Sequence, residues 1–207
     1  MNRLSSPSRL FDRSWYTKYY LGREDDTWYA SLFDENRVSG EITPSYVFMD
    51  EEKVAGLRAR FPHLKIIIML RDPVERTWSQ LKMNLGKHNG RDMGAVSDEM
   101  IERRMREILD ITPSYHRAIS LWKAHFDDVF IGYQEDIVSR PMDFIKDVQL
   151  FLGVEDKVQS DVHQKHNVGI RAEMPDQIRE VLKEHFREEN SALLESVSHH
   201  YIQDWDL

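Results

Sequence analysis

At 207 residues, 41% hydrophobic and 31% charged, the chain is sized for one well-filled domain of ordinary globular composition, and a single domain over 1–207 is expected. A formal net charge of −8 argues against general nucleic-acid binding but leaves room for a local basic pocket that takes a small anion. The lack of cysteine excludes disulfides and thiolate metal sites and fits a reducing compartment.

No apolar run approaches the roughly 20 residues that a membrane span requires, and residues 1–7 lack the apolar stretch of a secretory signal. A cytoplasmic location is therefore expected. There is no internal repeat and no low-complexity segment. The first third is rich in aromatic rings (Phe11, Trp15, Tyr16, Tyr19, Tyr20, Trp28, Tyr29 and Phe33), which suits short helices packing a core. Val38 to Glu41 reads as the end of a short strand. Asp50 to Phe61 reads as a helix with Asp50 as N-cap, since Val54, Leu57 and Phe61 recur at helical spacing.

Leu64 to Leu70 is the clearest strand, an unalternated apolar run of the kind covered on both faces. Pro73 suits the first turn of a helix that runs to about Leu85. The glycine-spaced polar segment from Gly86 to Gly94 predicts a mobile loop. Helices follow over about Ser97 to Ile111 and Ser114 to His125, then a second short strand over Val129 to Tyr133. Pro141 to Leu152 is a helix ended by Gly153, and Pro175 to Val197 is a long amphipathic one. Strands alternating with helices predict an α/β fold: three layers, with a short parallel sheet flanked by helices. Ligands of such sheets collect beyond the carboxyl ends of the strands, after Gly40, Leu70 and Gly132 here.

Arg71 stands at one of those ends, and Ser79 about two turns into the next helix. A strand-end guanidinium and a hydroxyl of the adjoining helix can meet on one phosphate, the first through a bidentate charge-assisted contact. The plainer alternative is that Arg71 pairs with Asp72 or Glu75 and that Ser79 faces solvent.

The apolar strand followed by Arg71-Asp72-Pro73-x-x-Arg76-x-x-Ser79 resembles the 3′-phosphate-binding segment of the PAPS-dependent sulfotransferases. The branch it resembles most holds the heparan-sulfate sulfotransferases and their bacterial relatives. The likeness extends in order along residues 8–205. It includes Trp28-Tyr29 with Phe33, Glu41-x-Thr43-Pro44-x-Tyr46, Tyr115-His116-Arg117-Ala118, Tyr133 to Ile137, Pro141, Phe151 to Val154, and the ending from Asn167 to Trp205.

The resemblance implies a P-loop-like sulfotransferase fold and PAPS as donor, with adenosine 3′,5′-bisphosphate as product. The acceptor would be a hydroxyl on a glycan or a smaller alcohol. Arg71 and Ser79 would hold the 3′-phosphate, and Glu41 would be the general base. Independently, sulfuryl transfer needs such a base, and partial burial would suit a carboxylate to the role. His63 precedes the main strand, at the wrong end of the sheet for that task. Lys165 and Arg171 lie where relatives carry a basic loop over the donor's phosphates. His163 and His166 have no evident third or fourth metal ligand, so no metal is expected.

The resemblance also implies an early strand followed by a Lys-x-Gly-Thr loop for the 5′-phosphosulfate. Residues 1–10 contain neither glycine nor lysine, so the chain is expected to start after that loop. This favours, as an alternative, a fold that binds nucleotide or glycan without turnover. A nucleotide kinase would need a Gly-x-x-x-x-Gly-Lys-(Ser/Thr) loop, which the sequence does not contain.

Overall fold

A computed structural model of the chain describes residues 25–34, 36–88, 96–155, 170 and 172–205. These fall into two units, one reaching Pro44 and the other starting at Ser45. In the first, helix α1 (Asp26–Ala30) begins at Asp25, whose carboxylate accepts from the Trp28 N–H at 2.8 Å. Tyr29 and Phe33 meet edge to face at 5.1 Å. The expected strand over Val38 to Glu41 does not form, and residues 38–43 have no regular structure. Of the aromatic residues noted in the first third, those from Phe11 to Tyr20 lie outside the described residues.

After a 3-10 turn at Pro44–Phe48, helix α2 (Glu51–Arg60) starts at Asp50, whose carboxylate accepts from the Lys53 N–H at 2.9 Å. Strand β1 (Ile66–Leu70) leads into α3 (Pro73–His88), where Pro73 opens the helix at the one turn that tolerates a missing N–H. The helix continues through Gly86, which the sequence reading gave to a loop. The remainder of that loop, 89–94, lies outside the described residues. Helices α4 (Asp98–Asp110) and α5 (Tyr115–His125) begin at Ser97 and Ser114, each capping with its hydroxyl. Strand β2 (Val129–Tyr133) then passes directly into α6 (Gln134–Ser139), followed by α7 (Pro141–Leu152). Gly153, at φ 73°, ends α7 in the left-handed conformation that costs glycine nothing. The long α8 (Asp176–Ser196) and short α9 (His200–Asp204) complete the order.

The architecture is mostly helical α/β around a two-stranded parallel sheet, in register from Ile66 opposite Val129 to Leu70 opposite Tyr133. On one face, Ile66 and Ile68 pack with Val54 of α2 and Trp122 of α5, while Leu70 and Tyr133 join Ile119, Leu193, Ile202 and Trp205. On the other face, α7 covers the β2 half, with Phe144 and Phe151 against Phe130 at ring distances of 6.1 and 5.4 Å. Ile67 and Met69 are left 39% and 41% exposed, so β1 is not covered on both faces as expected. A third cluster joins α3, α4 and α8 through Trp78, Leu81, Leu85, Ile101, Met105, Leu182 and Phe186. Burying Leu81 and Leu182 fully stabilises the fold by about 2–3 kcal/mol each. Among the described residues, no helix is long and apolar enough to cross a membrane.

Candidate active site

Arg71 directly follows the last residue of β1, at the carboxyl end of the parallel sheet. Its backbone is held from across the fold, because the Tyr115 hydroxyl at the start of α5 donates to the Arg71 carbonyl at 3.2 Å. Its side chain is half-buried. The two carboxylates that could have neutralised it are engaged elsewhere. Asp72 accepts from the N–H groups of Val74 and Glu75 at 2.8 and 3.3 Å, closing the first turn of α3. Glu75 pairs with Arg179 of α8 at 3.2 Å. Burial pushes the Asp72 carboxyl above its ordinary range, and those two N–H bonds only partly offset it.

Ser79 lies on α3, six residues beyond Pro73 and so about 9 Å further along the axis. It is half-buried. Hydroxyls inside helices often donate back to the carbonyl four residues earlier, as Thr77 does to Pro73 at 2.8 Å and Ser139 to Glu135 at 2.8 Å. The Ser79 hydroxyl makes no such bond among the described residues.

The helix bearing Ser79 is tied to the segment before α8. The Trp78 indole N–H and the Lys82 ammonium both donate to the Ala172 carbonyl, at 3.2 and 3.4 Å. Beside this junction is an open cavity of about 350 Å³, lined by Glu75, Trp78, Lys82, Met174 and Arg179 among others. Sequence reasoning passed over Trp78 and Lys82. Their signal would have been spacing, since residues four apart on a helix share a face.

At the neighbouring strand end, Tyr133 and Glu135 have buried polar atoms, the phenol oxygen and Oε2, without a hydrogen-bond partner among the described residues. Burial pushes the Tyr133 hydroxyl up to about 12, aided by the negative charges of Asp136 and Glu135. Asp136, only 4% exposed, accepts from Arg140 at 2.6 Å and Tyr201 at 3.1 Å, while Glu135 accepts from the Trp205 indole at 2.8 Å. These bonds fasten α9 over the end of β2.

Glu41 is exposed, in the stretch without regular structure, so the partial burial asked of it by the sequence reading is not present. His63 is exposed in the turn before β1, at the end opposite Arg71. Lys165, Arg171, His163 and His166 lie outside the described residues. Among the described residues, no three His, Asp or Glu side chains group as a metal site.

Residues 9–158 match the Sulfotransferase family. The chain is 29% identical over 165 residues to heparan sulfate glucosamine 3-O-sulfotransferase 3A1 of Mus musculus, covering 74% of this chain and 39% of that protein. It is 27% identical over 147 residues to the 3B1 enzyme of Homo sapiens, covering 66% of this chain and 37% of that one. The chain thus spans about two fifths of the length of these relatives. Among solved structures, a sulfotransferase from Alicyclobacillus acidocaldarius superposes with a TM-score of 0.63 at 22% identity, covering 96% of this chain and 79% of the other.

Proposed function

From the premise that this chain belongs to the sulfotransferase family, we propose that it serves transfer of a sulfuryl group from PAPS to an acceptor hydroxyl, on a glycan or a smaller alcohol. The observation that carries this reading is the state of Arg71. It is a half-buried guanidinium at a strand's carboxyl end whose adjacent carboxylates are occupied by other partners. A guanidinium with a hydroxyl that does not bond to its own helix is a donor set suited to a phosphate monoester. Arg71 and Ser79 would hold the donor's 3′-phosphate, with Lys165 and Arg171 acting on its remaining phosphate oxygens.

PAPS supplies the activated sulfuryl group, and adenosine 3′,5′-bisphosphate remains after transfer. Glu41, whose role rests on its sequence position, would take the acceptor hydroxyl's proton as the oxygen bonds to sulfur. The bond from sulfur to the phosphate oxygen breaks with its electron pair leaving on that oxygen. Residues 1–207 are taken as one functional domain; the family match over residues 9–158 supports this for that stretch.

Two measurements test the assignment. Arg71→Ala should weaken adenosine 3′,5′-bisphosphate binding by about 2–4 kcal/mol, and Ser79→Ala by about 1 kcal/mol. Both should affect adenosine 5′-monophosphate far less, and equal losses for the two nucleotides in calorimetric titration would remove the 3′-phosphate role. In radiolabelled transfer from PAPS to a panel of glycans and small alcohols, Glu41→Gln should cut kcat by at least ~100-fold at unchanged melting temperature. A near-normal kcat in that variant eliminates Glu41 as base. Nucleotide binding with no transfer by the unaltered chain to any acceptor would favour the non-catalytic reading.

A further inference from the structure

Five arginines are half-buried among the described residues: Arg58, Arg71, Arg76, Arg104 and Arg179. Arg58 pairs with Asp127, Arg104 with Glu107 and Arg179 with Glu75. Arg71 and Arg76 have no carboxylate partner among the described residues. This is unusual for a chain in which 36 acidic residues outnumber 28 basic ones, because partial burial makes an unneutralised charge costly.

One phenol touches both residues, Arg71 at its backbone and Arg76 at its guanidinium. The Arg76 guanidinium lies 4.3 Å from the centroid of the Tyr115 ring, and the Tyr115 hydroxyl donates to the Arg71 carbonyl. Burial pushes the Tyr115 hydroxyl up, and the positive charges of Arg76 and Arg71 both oppose that, so both guanidinium groups act on this ring. Arg76 also precedes Ser79 by three residues on α3, which places them as neighbours on one helix face. The carboxylates around the site have other partners. Asp72 is bound to the first-turn N–H groups, Glu75 to Arg179, and Glu135 to the Trp205 indole.

We infer that Arg76 is a second guanidinium ligand of the same phosphate, forming with Arg71 and Ser79 a three-point seat that selects a phosphate monoester dianion. The inference rests on the assignment of Arg71 and Ser79 to the 3′-phosphate. Stacking on Tyr115 orients the planar fork of Arg76, which an ammonium could not use in the same way. Tyr115 is then a positioning residue, fixing the Arg71 backbone with its hydroxyl and Arg76 with its ring.

The test uses the full chain, with calorimetric titration of adenosine 3′,5′-bisphosphate and adenosine 5′-monophosphate. The quantity read is the ratio of the two dissociation constants, which a purely structural role would not move. Arg76→Gln should reduce the preference for the bisphosphate by about tenfold or more, Arg76→Lys by about threefold, and Tyr115→Phe by a few-fold. An unchanged ratio in Arg76→Gln, alongside a reduced one in Arg71→Ala, overturns the role of Arg76 and leaves that of Arg71 standing. A ratio unmoved by Arg71→Ala, or equal binding of both nucleotides by the unaltered chain, sinks the underlying assignment and this inference with it. Should Arg76→Gln fail to fold, Arg76→Lys is decisive in its place, and an unchanged ratio there also overturns the inference.

Discussion

Asp136 shows how a buried charge is kept at the end of β2. Burial by itself would raise its carboxyl pKa, but hydrogen bonds from Arg140 and Tyr201 outweigh that and hold it below the ordinary carboxylate range. A carboxyl depressed in the folded state contributes stability that is full above its unfolded pKa, about 3.9, and is lost as pH falls through the folded value. Asp136→Asn should therefore cost about 2–3 kcal/mol at neutral pH, the range for hydrogen bonds to a charged group. Denaturant titrations should show the deficit shrinking below about pH 4; a deficit that stays constant to pH 2 would mean that the carboxylate's charge contributes nothing. The candidate site was only partly legible at this scale. Arg71 and Ser79 could be nominated because a strand end and helix spacing place them. Arg76 stands in the same motif but drew no role from it, because its contact with Tyr115, 39 residues later, cannot be read from sequence spacing. The exposure of Glu41 was hidden for a similar reason, since burial depends on neighbours far along the chain.

Among the secondary-structure elements, those with strong end signals could be read within a residue or two. Asp50, Ser97 and Ser114 cap α2, α4 and α5 through side-chain oxygens, and Pro141 and Gly153 bracket α7. Helix α6 was missed because its N-cap position is Tyr133, which makes no side-chain capping bond, and six residues are too few for a periodic pattern. Gly86 misled in the other direction. It is buried inside α3, where one glycine costs only about 1 kcal/mol against the packing of the whole helix. At Gly86 to His88 the helix prevails over the expected loop. In the sheet, Gly132 of β2 sits opposite Met69, and a Cβ there would lie 2.7 Å from the Met69 sulfur and 3.0 Å from a Phe144 ring carbon. Methionine can swing aside, but the Phe144 ring is buried and held by α7. Gly132→Ala should thus destabilise by about 1–2 kcal/mol. Adding Met69→Ala should recover part of that loss in thermal melts, and a double variant no more stable than Gly132→Ala would show that Phe144 alone sets the cost.

Across the larger unit, the end of the sheet that carries Arg71 is assembled from distant pieces of chain. Tyr115 reaches it from α5, while Tyr201 and Trp205 fasten the end of β2 from the last helix. The sheet joins positions far apart as well, since Ile66 pairs with Val129, 129 − 66 = 63 positions later. Bringing the ends of such a loop together costs roughly 4 kcal/mol of chain entropy beyond a fixed term, and that cost is met before the strand contacts return anything. Helices α3, α4 and α5 can form from local contacts in the meantime. The proposed nucleotide seat would therefore be a late product of folding, and a chain can be largely helical before the strands pair. In stopped-flow refolding, helical ellipticity should recover ahead of adenosine 3′,5′-bisphosphate binding, and simultaneous recovery would place the strand pairing in the first collapse. During synthesis the same ordering has a spatial form: Arg71 leaves the ribosome long before β2 and α9, so this end of the sheet stays unformed until Trp205 has emerged.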